Sequence, residues 1–271
     1  MSLPSIKPYL SKFLSKKLSL ALLTSLALVA CSPADDADTT SANANDPVVD
    51  ASQTEAIKNA TNEVSRETAT EQDNVAAIEQ PITILALGDS LTEGLGVNPD
   101  DNYPAQLEAM LKEMGYENVK VVNSGLSGET STGLVNRLDW VAQTKPDITI
   151  LTIGANDAIR GIDVATVEEN IRTAVKRLQD NGSEVILGGM QIYDNLGSDY
   201  VESFAAIYPR VAKDMNVTLI PFFLDGVGGD PELNQADAIH PTKDGYTIIV
   251  NHNILPILEP KLEAMVESES N

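Results

Sequence analysis

The sequence predicts an α/β fold: a single three-layer α/β/α domain with a mostly parallel, five-stranded sheet, covering residues 81–271. Two observations support this prediction. From residue 81 onward, short apolar runs alternate with amphipathic segments of helical length, which is typical of βαβ units whose parallel sheet is covered on both faces. A stretch of roughly 190 residues is also long enough to bury one sizeable core.

Five short apolar runs are the predicted strands, at residues 82–87, 119–123, 148–153, 184–187 and 218–220. Between the third and fourth runs, apolar residues recur at helical spacing: Val164, Val167, Ile171, Val175 and Leu178. Four more helices are predicted at residues 103–114, 130–143, 198–215 and 243–255. Residues 221–239 show neither pattern, and a long loop in a compact domain is often functional.

Residues 1–30 have the pattern of a secretory signal peptide. Four lysines and no acid precede a charge-free apolar run over residues 18–30, which is shorter than the roughly 20 residues that span a bilayer. Residues 28–31 (LVAC) resemble the lipobox of bacterial lipoproteins, in which the cysteine is lipidated and becomes the mature N-terminus. The alternative is an ordinary signal peptide that is cut near Ala30 and leaves Cys31 incidental.

The lipobox predicts an exported protein anchored to a bacterial membrane through Cys31. Ser32 resembles an outer-membrane sorting signal, so we expect the outer membrane, facing the periplasm or the cell surface. Cys31 is the only cysteine, so its lipidation leaves no thiol for disulfides or catalysis. Residues 31–80 contain 11 acids, 2 bases and no aromatic residue, a composition that predicts a disordered, acidic linker.

The formal net charge of −22 argues against a nucleic-acid partner, because binding phosphates requires clustered Lys and Arg. We also expect no cofactor and no metal. The sequence has no P-loop and no HExxH motif, and its GLG segment (residues 94–96) has Pro99 where a dinucleotide fingerprint needs a third glycine. The expected partner is a small-molecule acyl ester.

Four polar blocks lie at the predicted strand ends or before the last helix. They are GDSLT (residues 88–92), NSGLSG (123–128), GAND (154–157) and DAIHP (237–241). Because ligands of open α/β sheets bind outside the carboxyl ends of the strands, we expect these blocks to converge.

The blocks contain the parts of a Ser-His-Asp site. A serine hydroxyl needs an adjacent base, and the chain has two histidines. His252 lies inside a helix pattern, whereas His240 precedes Pro241 and is therefore pushed out of helical geometry. Asp237 is close enough to hold the His240 ring. We therefore predict Ser90 as nucleophile, His240 as base and Asp237 as its partner, although Ser90 alone is more typical of a turn or cap and Asp237 alone also fits a plain turn residue.

Together the four blocks resemble the GDSL, or SGNH, hydrolases, a family of lipases, esterases and thioesterases, over nearly all of residues 81–258. The segments GANDAIRG (154–161), GMQI (189–192), IYP (207–209) and IPFF (220–223) are similar to its bacterial arylesterase and thioesterase I branch. The resemblance implies an SGNH, flavodoxin-like fold. It also implies an oxyanion hole made by the amides of Ser90 and Gly125 and the side chain of Asn156.

The acyl pocket is predicted from residues near these blocks: Met190, Gln191, Ile192 and Phe222. The sequence departs from the family pattern at residues 193–197 (YDNLG), where a proline-rich turn is usual. It departs again at Ala238, where a glycine is common. Asp89 and Asp157 are predicted to brace loops.

These features predict a serine hydrolase that cleaves carboxylic esters, either aryl, short-chain or lysophospholipid esters, and also acyl thioesters, through an acyl-enzyme. One alternative is a carbohydrate-ester deacetylase. Another is a non-catalytic lipoprotein that binds an acyl or glycan ligand on the same scaffold. The intact Ser90, Gly125, Asn156 and His240 argue against a pure binder, which has no need of all four.

Overall fold

The computed structural model describes residues 81–193 and 196–269. The predicted signal peptide (residues 1–30) and linker (31–80), with Cys31, lie outside those residues. Within the described part of the chain, no helix is long and apolar enough to cross a membrane.

A wholly parallel, five-stranded sheet forms the middle layer. Its strands are β1 (Ile82–Gly88), β2 (Val119–Gly125), β3 (Ile148–Thr152), β4 (Glu184–Gly188) and β5 (Thr218–Ile220), arranged in the order β2-β1-β3-β4-β5. The predicted fold class is therefore confirmed. The chain steps from β1 to one neighbour and then back across β1 to the other, so the carboxyl end of β1 is the topological switch point where such sheets bind ligands.

Helices cover both faces of the sheet. One face carries α3 (Ser131–Val141), α5 (Val164–Asp180) and α7 (Ile207–Met215), which pack against one another. On the other face α2 (Tyr103–Glu113) contacts α8 (Lys243–Ile248). Because both faces are covered, β3 is buried along its whole length, which fits a strand that contains no charged residue.

Two helical segments differ from the sequence prediction, and proline explains both. The predicted helix at residues 198–215 is divided into α6 (Ser198–Ala205) and α7, because Pro209 has no N–H to donate to the turn before it. The last helix continues past the predicted end at residue 255. It passes through a π-helical turn (Ile249–Ile254) into α9 (Leu255–Glu269), and this wider turn accommodates Pro256, which has no N–H for the normal helical bond.

Candidate active site

The nucleophile lies where β1 ends at the switch point. Asp89 caps the short helix α1 (Ser90–Glu93) by accepting a hydrogen bond from the Leu91 N–H at 3.1 Å. Ser90 is thereby the first residue of α1, with 8% of its surface exposed. Gly88 is required here, because a Cβ would lie 2.3 Å from the Thr152 carbonyl oxygen of the adjacent strand. The Ser90 N–H has no acceptor among the described residues.

The base lies on a hairpin-like loop, residues 233–242, which we call the catalytic hairpin. Its two arms are joined by hydrogen bonds from the Gln235 N–H to the His240 carbonyl (2.7 Å) and from the Thr242 N–H to the Leu233 carbonyl (2.8 Å). At its tip, Ala238 has a backbone φ of 59°. This value lies in the left-handed region, which residues other than Gly, Asn and Asp rarely adopt.

This tip geometry directs two backbone amides at one carboxylate. The N–H groups of Ile239 and His240 both donate to Oδ1 of Asp237, at 2.9 and 3.0 Å. The His240 N–H, the His240 ring and the Ile239 N–H together lower the pKa of Asp237 from 3.8 to about 2. Asp237 is therefore ionised at neutral pH and acts only as a hydrogen-bond acceptor.

The three predicted side chains form one continuous chain of hydrogen bonds. His240 Nδ1 lies 2.6 Å from Asp237 Oδ2, and His240 Nε2 lies 2.8 Å from Ser90 Oγ. Because ionised Asp237 can only accept, Nδ1 carries the proton of the neutral ring. The lone pair of Nε2 then faces the Ser90 hydroxyl, which is the arrangement a general base needs.

Asn156 is fixed beside the nucleophile by an anion on one side and a cation on the other. It lies in α4 (Ala155–Ile159), directly after β3. Its Nδ2 donates to Asp89 Oδ2 at 3.3 Å, and its Oδ1 accepts from Arg160 Nη1 at 3.1 Å. An arginine only donates and an ionised carboxylate only accepts, so these partners set the orientation of the amide. The second Nδ2 hydrogen has no acceptor among the described residues.

Gly125 has a packing role that differs from the predicted one. Its N–H donates to Asn123 Oδ1 at 2.9 Å, and a Cβ at this position would lie 2.0 Å from the Glu93 nitrogen of α1. The glycine thus allows α1 to lie directly on the end of β2. This geometry argues against Gly125 as an oxyanion donor, because its amide is already engaged.

Gly128, which the sequence reasoning missed, offers the amide that Gly125 does not. Its N–H has no acceptor among the described residues. Its carbonyl accepts from Arg160 Nη2 at 3.0 Å, while Nη1 of the same guanidinium holds Asn156. One arginine therefore joins the loop of Gly128 to Asn156. The two glycines lie in one block with two residues between them, and the sequence alone does not distinguish them.

A model of the GDSL-like lipase/acylhydrolase family matches residues 86–248, more than half of the chain. The chain belongs to this family. The prediction from the four sequence blocks is thereby confirmed, and so is the prediction of an ester-hydrolysing enzyme.

Relatives of this GDSL-family chain include named esterases. It is 36% identical to esterase TesA of Pseudomonas aeruginosa over 181 residues, which is 66% of this chain and 89% of the relative. It is 33% identical over 170 residues to thioesterase 1/protease 1/lysophospholipase L1 of Escherichia coli strain K12, covering 62% of this chain and 80% of that protein.

Solved structures agree with the fold. The crystal structure of TesA aligns with a TM-score of 0.63 at 36% identity, over 66% of this chain and 98% of that one. The psychrotrophic esterase EstA from Pseudoalteromonas, in a structure inhibited by monoethylphosphonate, aligns with a TM-score of 0.63 at 28% identity and covers the same shares.

Asp89 is a buried carboxyl group in the site of this GDSL-family chain. It is 1% exposed, and burial raises its pKa from 3.8 to about 6 despite the hydrogen bonds that it accepts from Leu91 and Asn156. It braces α1 and Asn156 as predicted. Asp157 braces the start of α3 by accepting from the Ser131 N–H and hydroxyl, both at 2.7 Å.

Arg137, which the sequence did not single out, ties together the ends of the two strands behind the site. Its Nη2 donates to the Ser124 carbonyl at 2.9 Å and to the Gly88 carbonyl at 3.3 Å. The same guanidinium forms a two-pronged ion pair with buried Glu129, at 2.7 and 2.6 Å. This pair fixes the carboxyl ends of β1 and β2, from which Ser90 and the Gly128 loop extend.

The four predicted pocket residues differ in how deeply they are buried. Met190 is buried in the core, Ile192 is half-buried against it, and Gln191 is exposed. Phe222 is half-buried, and its ring lies over Gly228, where a Cβ would be 3.2 Å from the ring edge. Their role as an acyl pocket stays a prediction.

Proposed function

We propose that the protein is a serine esterase that cleaves carboxylic esters, aryl or short-chain, through an acyl-enzyme on Ser90. The observation that carries the proposal is the unbroken hydrogen-bonded chain Asp237–His240–Ser90, with distances of 2.6 and 2.8 Å. A serine that only shapes a turn has no need of a histidine base that is itself held by an ionised acid.

Acylation begins when Ser90 Oγ forms a bond to the ester carbonyl carbon and its proton passes to His240 Nε2. Ionised Asp237 stabilises the imidazolium that results. The carbonyl oxygen becomes an oxyanion, which accepts hydrogen bonds from the Ser90 N–H, the Gly128 N–H and Asn156 Nδ2, since these donors have capacity left. The carbon–oxygen bond to the alcohol then breaks, and His240 gives its proton to the departing alcohol.

Deacylation repeats the same steps with water. His240 accepts a proton from water as the water oxygen bonds to the acyl carbon. The oxyanion forms again at the same donors, and collapse returns the proton to Ser90 and releases the acid. Donors that are already in position cost no reorganisation during the reaction, and each contributes roughly 100- to 1,000-fold in rate.

Exposed apolar side chains support an apolar ester as substrate. Three such side chains lie within three residues of a proposed site residue in the chain, and the fourth belongs to Tyr193, which bonds to the catalytic hairpin. They are Leu126, Ile159, Tyr193 and Ile239, with 51%, 64%, 58% and 41% of their surfaces exposed. The names of the relatives, esterase TesA and arylesterase, agree with this substrate class.

The charge of the chain favours neutral esters over acyl-CoA thioesters. The formal net charge is −22, and such a field repels an anionic substrate at a distance. Uncharged thioesters remain substrates of the same mechanism. We therefore expect acyl-CoA hydrolysis to rise with added salt, which screens that repulsion, and p-nitrophenyl ester hydrolysis to change little.

The decisive experiment is hydrolysis of p-nitrophenyl acetate by the wild type, Ser90→Ala and Ser268→Ala. Ser268 is exposed near the end of α9 and donates only to the Met265 carbonyl, so its variant is the matched control. We expect Ser268→Ala to match the wild type and Ser90→Ala to lose at least about 1,000-fold in kcat. Equal, slow hydrolysis by all three proteins would favour the non-catalytic binder. Release of acetate from acetylated sugars, without cleavage of the aryl ester, would favour the deacetylase.

We also propose that the chain is exported and lipid-anchored at Cys31. The lysine-rich start, the apolar run and the LVAC sequence support this proposal. Expression of the full chain and of Cys31→Ser in a bacterial host, followed by membrane fractionation, tests it. The wild type should sediment with membranes and Cys31→Ser should not, whereas a soluble wild type would contradict the anchor.

A further inference from the structure

We infer that Tyr193 is a positioning residue that holds the tip of the catalytic hairpin (residues 233–242) in its reactive conformation. The inference rests on the proposed function, since it concerns the same site. Two features of residue 238 support it. Ala238 has φ of 59°, and its carbonyl oxygen accepts a hydrogen bond from the Tyr193 hydroxyl at 2.7 Å.

The Ala238 conformation is needed for catalysis and is disfavoured sterically. It turns the chain so that the N–H groups of Ile239 and His240 both point at Asp237 Oδ1. An alanine in the left-handed region brings its Cβ close to its own backbone, so other conformations of residue 238 compete with this one. Something outside residue 238 must favour the strained form.

Tyr193 is the group that does so. Among the hydrogen bonds of residues 81–193 and 196–269, its bond to the Ala238 carbonyl is the only one that joins residues 236–239 to a residue outside the hairpin. The stem of the hairpin is held separately, by Gln235 Nε2 donating to the Leu95 carbonyl at 2.7 Å. The conformation of the tip therefore depends on Tyr193, whereas that of the stem does not.

The segment that carries Tyr193 is itself anchored. The Gly189 N–H donates to the Ile220 carbonyl at 2.8 Å, and the Gly189 carbonyl accepts from the Phe223 N–H at 2.8 Å. Met190 is buried in the core, and Ile192 packs against it. Tyr193 thus extends from a fixed sheet edge, so its hydroxyl can restrain the hairpin tip.

The test combines Tyr193→Phe with Ala238→Gly. Tyr193→Phe keeps the ring and removes the hydroxyl, so kcat for p-nitrophenyl acetate should fall about two- to tenfold, the range expected for one exposed hydrogen bond, with KM unchanged. A glycine at 238 adopts the left-handed region without the steric conflict. In the Ala238→Gly background, Tyr193→Phe should therefore change kcat less than twofold.

Tyr200→Phe is the matched control. The Tyr200 hydroxyl also donates to a backbone carbonyl at 2.7 Å, that of Ile162, away from the hairpin, so its removal should leave kcat unchanged. The inference is overturned if Tyr193→Phe behaves like Tyr200→Phe, or if the loss is equal in both residue-238 backgrounds. It is also overturned if the loss appears in KM and varies with acyl length, which would make Tyr193 a substrate contact.

A spectroscopic readout separates this inference from the proposed function. The chain has two histidines, so the proton on His240 Nδ1, shared with Asp237 at 2.6 Å, can be followed by NMR. Its resonance should exchange faster with solvent in Tyr193→Phe than in the wild type or Tyr200→Phe. Equal exchange in all three would contradict the role of Tyr193, whereas an inactive wild type would contradict only the proposed function.

Discussion

Asp89 holds α1 and Asn156 in place, and its buried charge lowers the free energy of unfolding. The substitution Asp89→Asn separates these two effects. The pKa of Asp89 in the fold, about 6, lies above its ordinary value of 3.8 because the carboxyl group is buried, so the folded state binds the proton more tightly than the unfolded state. The stability contributed by this group is therefore present at low pH and is lost as pH rises from 3.8 towards 6. The gap is about two pH units at 1.36 kcal/mol each, so ionised Asp89 destabilises the fold by about 3 kcal/mol at neutral pH.

Asparagine keeps the shape of the side chain and removes the charge. Its oxygen can still accept the Leu91 N–H, but its NH₂ group then faces Nδ2 of Asn156, and that hydrogen bond, worth about 1 kcal/mol, is lost. We therefore expect Asp89→Asn to raise the free energy of unfolding by about 2 kcal/mol at pH 8. This gain should shrink by about 2 kcal/mol between pH 8 and pH 4, where wild-type Asp89 becomes protonated. Esterase kcat should fall, because Asn156 loses its anchor.

Urea unfolding at pH 4, 6 and 8 measures the stability difference. Asp237 shifts the other way, since its pKa is lowered from 3.8 to about 2. Its stabilising contribution is present above pH 3.8 and is lost as the pH falls towards 2, below the measured range. This contribution is the same in the wild type and in Asp89→Asn. Asp163→Asn is the control, since Asp163 caps α5 through the Ala165 N–H but is exposed, and it should change stability by only a few tenths of a kcal/mol. A variant that is less stable than wild type by the same amount at every pH, or one that keeps full kcat, would refute the reasoning.

Three further substitutions test the oxyanion side of the site. Gly125→Ala places a Cβ 2.0 Å from the Glu93 nitrogen, so circular dichroism and activity should both show a damaged fold; a native, active variant would mean that α1 does not pack this closely. Asn156→Ala should lower kcat for p-nitrophenyl acetate about 100- to 1,000-fold with unchanged circular dichroism, and a loss below threefold would exclude it as a donor. Arg160→Met should lower kcat about tenfold, because it removes the charge-assisted hydrogen bonds that orient Asn156 and the Gly128 carbonyl. An unchanged kcat would show that the guanidinium does not hold these two residues for catalysis.

The strands and the reacting groups could be predicted because local patterns determine them. Apolar runs defined all five strands to within two residues, and Pro241 placed His240 outside a helix. Once the sheet is parallel, the residues after each strand must meet at one edge. Ser90 and Asn156 therefore converge for a topological reason, and His240 reaches Ser90 from the catalytic hairpin after the last strand.

Long-range contacts account for what the sequence left undecided. Gly125 and Gly128 look alike in the chain, and only the packing of α1 on β2 shows which amide is engaged. In the sequence, Arg137 looks like any other residue of an amphipathic helix. Only the structure shows that its guanidinium joins the ends of two strands. The bond between Tyr193 and Ala238 joins two departures from the family pattern that are 45 residues apart. No local pattern predicts it.

Trapping the acyl-enzyme shows whether ester cleavage passes through a covalent bond to Ser90. The protein is mixed with p-nitrophenyl acetate, quenched with acid at times shorter than one turnover, digested and examined by mass spectrometry. We expect one acetyl group, on the peptide that contains Ser90. It should be absent in Ser90→Ala and should accumulate far more slowly in His240→Ala. Enzyme-dependent release of p-nitrophenol with no acetylated peptide at any time, or with the acetyl group on another residue, would contradict this mechanism.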